Sequence, residues 1–133
     1  MYQEFHDTGI DIEYTFIWYE YQQDVKTPSF VLVTVNANSG KVIEYVGLLR
    51  DVNVSLKPVV SNNRAIEIAS DYFDTSPLDV EFIELKIINL DLTDQRLVWE
   101  IVIHCKPVEN IIQGGRIQID AENGKILRVF KWL

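Results

Sequence analysis

The stretch Arg116 to Val129, R-I-Q-I-D-A-E-N-G-K-I-L-R-V, decides the fold, because two short apolar runs flank a turn that few backbone geometries satisfy. Ile117 and Ile119 alternate with Arg116, Gln118 and Asp120, the period of a strand with one buried face. Beyond the turn, Lys125 to Val129 resumes an extended pattern. Ala121, Glu122 and Asn123 lead into Gly124. A type I turn closed by a residue of positive φ places glycine there without steric cost. The stretch therefore predicts a β-hairpin.

The same phrase occurs earlier. Residues 33 to 45 read V-T-V-N-A-N-S-G-K-V-I-E-Y, and Gly40 stands 84 positions before Gly124. At that offset Ala37 falls on Ala121 and Lys41 on Lys125, while Val33, Val35, Val42 and Ile43 fall on Ile117, Ile119, Ile126 and Leu127. The same offset lays Tyr14 to Glu20 over Val98 to His104, so the expectation is an internally duplicated chain.

Taken in order, residues 1 to 12 are mixed in character, with a turn signal at Thr8 and Gly9, and predict a poorly fixed start. Glu13 to Tyr21 is dense in aromatic and β-branched residues and reads as a strand. Gln22 to Pro28 reads as a polar loop, and Phe30 to Val35 with Lys41 to Leu48 as the first hairpin. Ser61 is the expected N-cap of a helix over about Asn62 to Phe73, whose apolar face carries Ala65, Ile66, Ala69, Tyr72 and Phe73. Pro77 discourages its continuation. Glu81 to Leu90 and Arg96 to Cys105 read as strands, the second with Leu97, Trp99, Ile101 and Ile103 on one side, and Lys106 to Gly114 as a loop. Short connections between successive strands favour antiparallel meanders. The expected fold is α+β: one helix packed on a strongly curved antiparallel sheet, partly duplicated. Residues 13–48 would form a partial first repeat of three strands and residues 58–133 a complete second repeat, within one region spanning 1–133.

Bulk properties set limits on function. A chain of 133 residues can bury an ordinary core as one domain, and 47% hydrophobic with 24% charged residues is globular composition. The net charge of −8 disfavours nucleic acid and anionic lipid as partners. Cys105 is the single cysteine, so no intrachain disulfide can form. No apolar run approaches the ~20 residues of a membrane span, and Met1 to Ile10 lacks the pattern of a signal peptide.

Candidate chemistry is thin. His104 and Cys105 are neighbours in a strand and point to opposite faces, so they cannot form a thiol and base pair. Glu100 and His104 share a face but stand two pleats apart and need a third residue to make a site. His6 with Asp7 and Asp11 is short of the ligands a metal requires. The run Asp120 to Gly124 is a poor calcium loop, since its glycine comes one position early and Lys131 stands where the distal glutamate belongs. Asn53-Val54-Ser55 matches a glycosylation sequon, and Gly114-Gly115 precedes a strand with no helix to make a phosphate cradle. No catalytic residue, metal or cofactor is expected. Trp99 is read as core, and Trp18 and Trp132 as core or contact surface, with core favoured for all three.

The helix A-I-E-I-A at Ala65 to Ala69, the strand V-W-E-I-V at Val98 to Val102 and the hairpin D-A-E-N-G-K-I-L at Asp120 to Leu127 together resemble the PepSY family over about residues 58 to 133. The hairpin V-N-A-N-S-G-K-V-I at Val35 to Ile43 looks like the end of a preceding unit of the same type. The resemblance implies a non-enzymatic module that inhibits, chaperones or localises a peptidase outside the cytoplasm, and it brings no catalytic residues. A second reading is a structural spacer in a tandem-repeat exported or envelope protein, and a third a small-molecule-binding curved sheet. The first repeat carries apolar strand faces without a helix of its own. Tyr14, Phe16, Trp18, Tyr19 and Tyr21 are therefore the candidate contacts for a protein or peptide partner, a peptidase or a second copy of the chain.

Overall fold

The computed structural model describes residues 2–7, 12–109 and 111–132. The strands are β1 (Tyr2–Asp7), β2 (Ile12–Gln22), β3 (Val25–Asn36), β4 (Val42–Leu48), β5 (Val80–Asn89), β6 (Gln95–Val108), β7 (Ile111–Asp120) and β8 (Ile126–Lys131). One α-helix, α1 (Asn62–Tyr72), and a short 3-10 turn at Pro77–Asp79 lie between β4 and β5. The eight strands make one sheet in the order β1-β2-β3-β5-β6-β7-β8, with β4 also paired to β3. Every pairing is antiparallel except a single parallel bridge, Lys26↔Lys86, which joins β3 to β5. Thus β3 is shared: its first residues meet β5, and Phe30 to Val35 meet β4.

The two hairpins that the sequence repeats are built alike. Gly40 and Gly124 take φ of +71° and +77°, the left-handed conformation that closes each turn. The amides of Gly40 and Gly124 donate to the carbonyls of Asn36 and Asp120 at 2.8 and 2.9 Å. Asn36 Oδ1 caps the amides of Asn38 and Ser39, as Asp120 Oδ1 caps those of Glu122 and Asn123. Both ladders carry a bulge at the same place, between Thr34 and Val35 and between Gln118 and Ile119.

The irregular start expected for residues 1 to 12 is replaced, over Tyr2–Asp7, by a strand paired to β2 from Tyr2↔Ile17 to Asp7↔Ile12. The turn signal at Thr8 and Gly9 lies outside the described residues. Two expected loops are also shorter than their polar composition suggests. Gln23 and Asp24 adopt φ of +48° and +64° in a two-residue turn, so β3 starts at Val25. Strands β6 and β7 run on to the pair Val108↔Ile111. Polarity marked these segments as surface, but pairing to a neighbour, which local composition does not report, kept them extended. The register also sets Trp99 against Ile119 as Tyr14 is set against Val35, so β2 matches β6 one residue out of step with the 84-residue offset.

Helix α1 begins as expected, with Ser61 Oγ accepting from the Arg64 amide at 3.1 Å. Ala65 and Ala69 are fully buried and let the helix approach Ile101, Ile103, Ile117 and Ile119 closely. Tyr72, read as part of this face, is instead 43% exposed. It packs edge-on to Phe73 with Lys131 above its ring. The segment from 49 to 60 extends the cover: Val52, Val54 and Leu56 pack on Val25, Ile87, Leu97 and Ala121. It is anchored by Val60, whose carbonyl accepts from Trp99 Nε1 at 2.8 Å, and by Gln95, whose side chain bonds the backbone at Asp51 and Asn53.

Candidate functional site

One face of the sheet is covered over β5 to β7 by α1 and the 49–60 segment, and the same face continues over β2 to β4 with no described element above it. Pairing places Tyr14 beside Val35, Phe16 beside Val33, and Trp18 beside Val31. Val33 is in turn opposite Tyr45, and Val35 opposite Val42. Phe16 and Trp18 stack with ring centroids 6.1 Å apart. Trp18 is 44% exposed and Tyr45 67%, so Trp18 is not the core residue expected of it. In the duplicated pattern Tyr45 falls on Val129, which packs against the helix core. The sequence reading left Val42 and Tyr45 out of the contact surface. The 84-residue offset held the signal that would have included them.

Tyr19 and Tyr21 do not join this patch, because alternation turns them to the opposite face. There Lys26 Nζ lies 3.8 Å above the Tyr19 ring. Tyr21 donates its hydroxyl to Glu84 at 3.1 Å. Desolvation, with the bond and charge of Glu84, raises the Tyr21 pKa. The five candidate contacts therefore occupy two faces, three on one and two on the other.

Glu100 is buried on this second face. It receives Gln118 Nε2 at 2.9 Å and Lys86 Nζ at 3.0 Å. Burial pushes its carboxyl pKa up, but the Gln118 bond, the Lys86 bond and charge, and the charge of Arg116 outweigh it and hold the pKa below the ordinary value. His104 is engaged elsewhere, with Nδ1 2.5 Å from Glu81 and its ring 4.3 Å from that of Trp132. Glu100 and His104 thus do not form a pair. Cys105 turns to the helix core, away from His104. Among the described residues no group of three or more His, Cys, Asp or Glu is placed to hold a metal ion.

A depressed carboxylate pKa adds stability that is complete above the unfolded value of about 4.3 and is lost as pH falls through the folded value. Glu100→Gln should therefore lower stability by about 2 kcal/mol at neutral pH, where it forfeits the charge-assisted bonds. The gap from the parent should narrow as pH falls below the unfolded value of about 4.3 and close once Glu100 is protonated in the folded chain. Urea midpoints measured from neutral pH downward check this.

An open, curved, largely antiparallel sheet with one helix on one face defines a small α+β module. The chain belongs to the PepSY family: the family's profile, described as peptidase propeptide and YPEB domain, matches residues 59–130. Among solved structures the chain is similar to the Bacillus megaterium YpeB C-terminal domain, with a TM-score of 0.55 and 23% identity. The match covers 91% of this chain and 52% of that one, so the chain spans about half the length of the structure it resembles. No match is found among curated proteins. No helix of the described residues is long and apolar enough to cross a membrane.

Proposed function

We propose that this chain is a non-enzymatic binding module that inhibits or localises a peptidase, acting outside the cytoplasm. The observation that carries the reading is the face of Phe16, Trp18, Val42 and Tyr45, over which no described element lies, continuous with a face that α1 and its flanking segment bury elsewhere in the sheet. An aromatic surface of this kind gains from being covered by a protein partner. Strand β4 adds a mode of contact: among the described residues it is paired only to β3, and Val42 to Gly47 are exposed. An extended segment of a partner can hydrogen-bond along such an edge and lay its side chains on the patch. In this proposal residues 13–48 are the partial repeat and 58–133 the complete one, with β1 supplying a further strand to the first.

The purified chain is expected to dimerise in the micromolar range through the patch when no other partner is present, as seen by light scattering across a dilution series. Trp18→Lys should shift the dimer to monomer by at least about tenfold in Kd with no change in melting temperature. A monomer at all concentrations for both proteins removes the patch as a self-contact. Peptide and ester hydrolysis should be absent, and turnover lost on changing Glu100 or His104 would overturn the non-enzymatic reading.

A further inference from the structure

Where β3 passes from β5 to β4 the sheet forks, and a cleft of about 410 Å³ opens at the fork. Four of its lining residues are Lys26, Arg50, Lys86 and Arg128, and no carboxylate among the described residues lines it, while Glu100 bonds Lys86 and Glu20 bonds Thr27 from outside the lining. In a chain with 20 acidic and 12 basic residues, this local excess of cations runs against the overall charge. The cations differ in how they are held. Lys26 rests on the Tyr19 ring and Lys86 is tied to Glu100, which leaves each ammonium with further donors. The guanidinium groups of Arg50 and Arg128 have no ion-pair partner among the described residues. Phe30 and Leu48 add apolar surface to the lining.

We propose that this cleft binds an acidic stretch of polypeptide through its side-chain carboxylates. Guanidinium forks pair with carboxylates bidentately, and two unpaired arginines flanked by two lysines can receive several at once. The volume of about 410 Å³ exceeds what one small anion would fill. A long polyanion such as nucleic acid would run out of the cleft onto a surface of net negative charge, whereas a short acidic segment ends within it. The site uses residues apart from Trp18 and its patch.

The test is anisotropy of fluorescein-labelled hexaglutamate titrated with the full chain at low salt. Saturable binding is expected, suppressed by about 0.5 M NaCl and weakened at least about tenfold in R50E/R128E. The single variant K26E should weaken it in the same direction, which keeps the test open if the double variant unfolds. Arg64→Glu, at an exposed helix position away from the cleft, should leave it unchanged. Unlabelled hexaglutamate should displace the probe at concentrations at least tenfold below glutarate or inorganic phosphate. Equal displacement by the small anions would make this a small-anion site and overturn the peptide assignment. Undiminished binding in folded R50E/R128E would overturn the cleft itself.

Discussion

Gly115→Ala should yield a chain that does not fold, seen as loss of soluble protein or of the cooperative urea transition. Gly115 sits within β7 between β6 and β8, and a Cβ there would run into the carbonyl oxygen of Phe130 on β8. Its neighbour Gly114 has φ of +126°, and a Cβ there would meet the Ile103 carbonyl oxygen on β6. Both obstacles are backbone, so no rotamer change can relieve them. The strands would have to separate at a point where Ile103 and Ile117 are fully buried. A cost of about 4 kcal/mol or more is expected, a large share of a small domain's stability. Gly40→Ala is the control: nothing lies within 4 Å of its added Cβ, so only the positive φ is charged, at about 1 kcal/mol. If Gly115→Ala and Gly40→Ala proved equally stable, the close approach of β7 to its neighbours would be wrong.

Asp120→Ala should cost about 3 kcal/mol, while the matching Asn36→Ala costs about 1 kcal/mol. Each side chain caps its hairpin through the same two amides, with first bonds of 2.8 Å to Glu122 and 2.9 Å to Asn38. The surroundings differ. Asp120 is 1% exposed, and its Oδ2 also receives Arg96 Nη1 at 2.9 Å. Charge-assisted bonds in a buried setting are worth more than neutral ones at the surface. Asp120→Asn should keep the turn and lose the ion pair, and so fall between the two. Urea denaturation of the three variants gives the order directly, and equal costs for Asp120→Ala and Asn36→Ala would show that burial adds nothing.

The polar pattern of the Gln22 and Lys106 segments indicates surface, yet Val25 to Pro28, Lys106 to Val108 and Ile111 to Gly114 are strand. Hydrogen bonds to a partner strand keep a polar segment extended, and the partner is remote in sequence. The same limit applied to Trp18 and Tyr72, whose composition suggests core. Their burial depends on whether anything lies above the face they share. The patch was legible in part, since alternation put Tyr14, Phe16 and Trp18 together and Tyr19 and Tyr21 opposite. Val42 and Tyr45 belong to it too: the 84-residue offset matches them to Ile126 and Val129, and the β3 to β4 register carries them to the patch.

By itself the sequence determined the two glycine-closed hairpins, the helix from its Ser61 cap, the buried faces of β6 and β7, and the family. The hairpins, the helix and the buried faces follow from periodicities and turn chemistry within some fifteen residues, and the family from the order of its motifs over residues 58 to 133. The tertiary structure decided the rest. One parallel bridge at Lys26 and Lys86 makes a single sheet of two sets of strands and opens the cationic fork beside it. It sets Asp120 in the interior, while its counterpart Asn36 keeps part of its surface in water. It lays α1 on β6 and β7 and leaves the equivalent face of β2 to β4 bare. Identical local phrases diverge in this way because burial is fixed by what packs across them, and that information lies in distant parts of the chain.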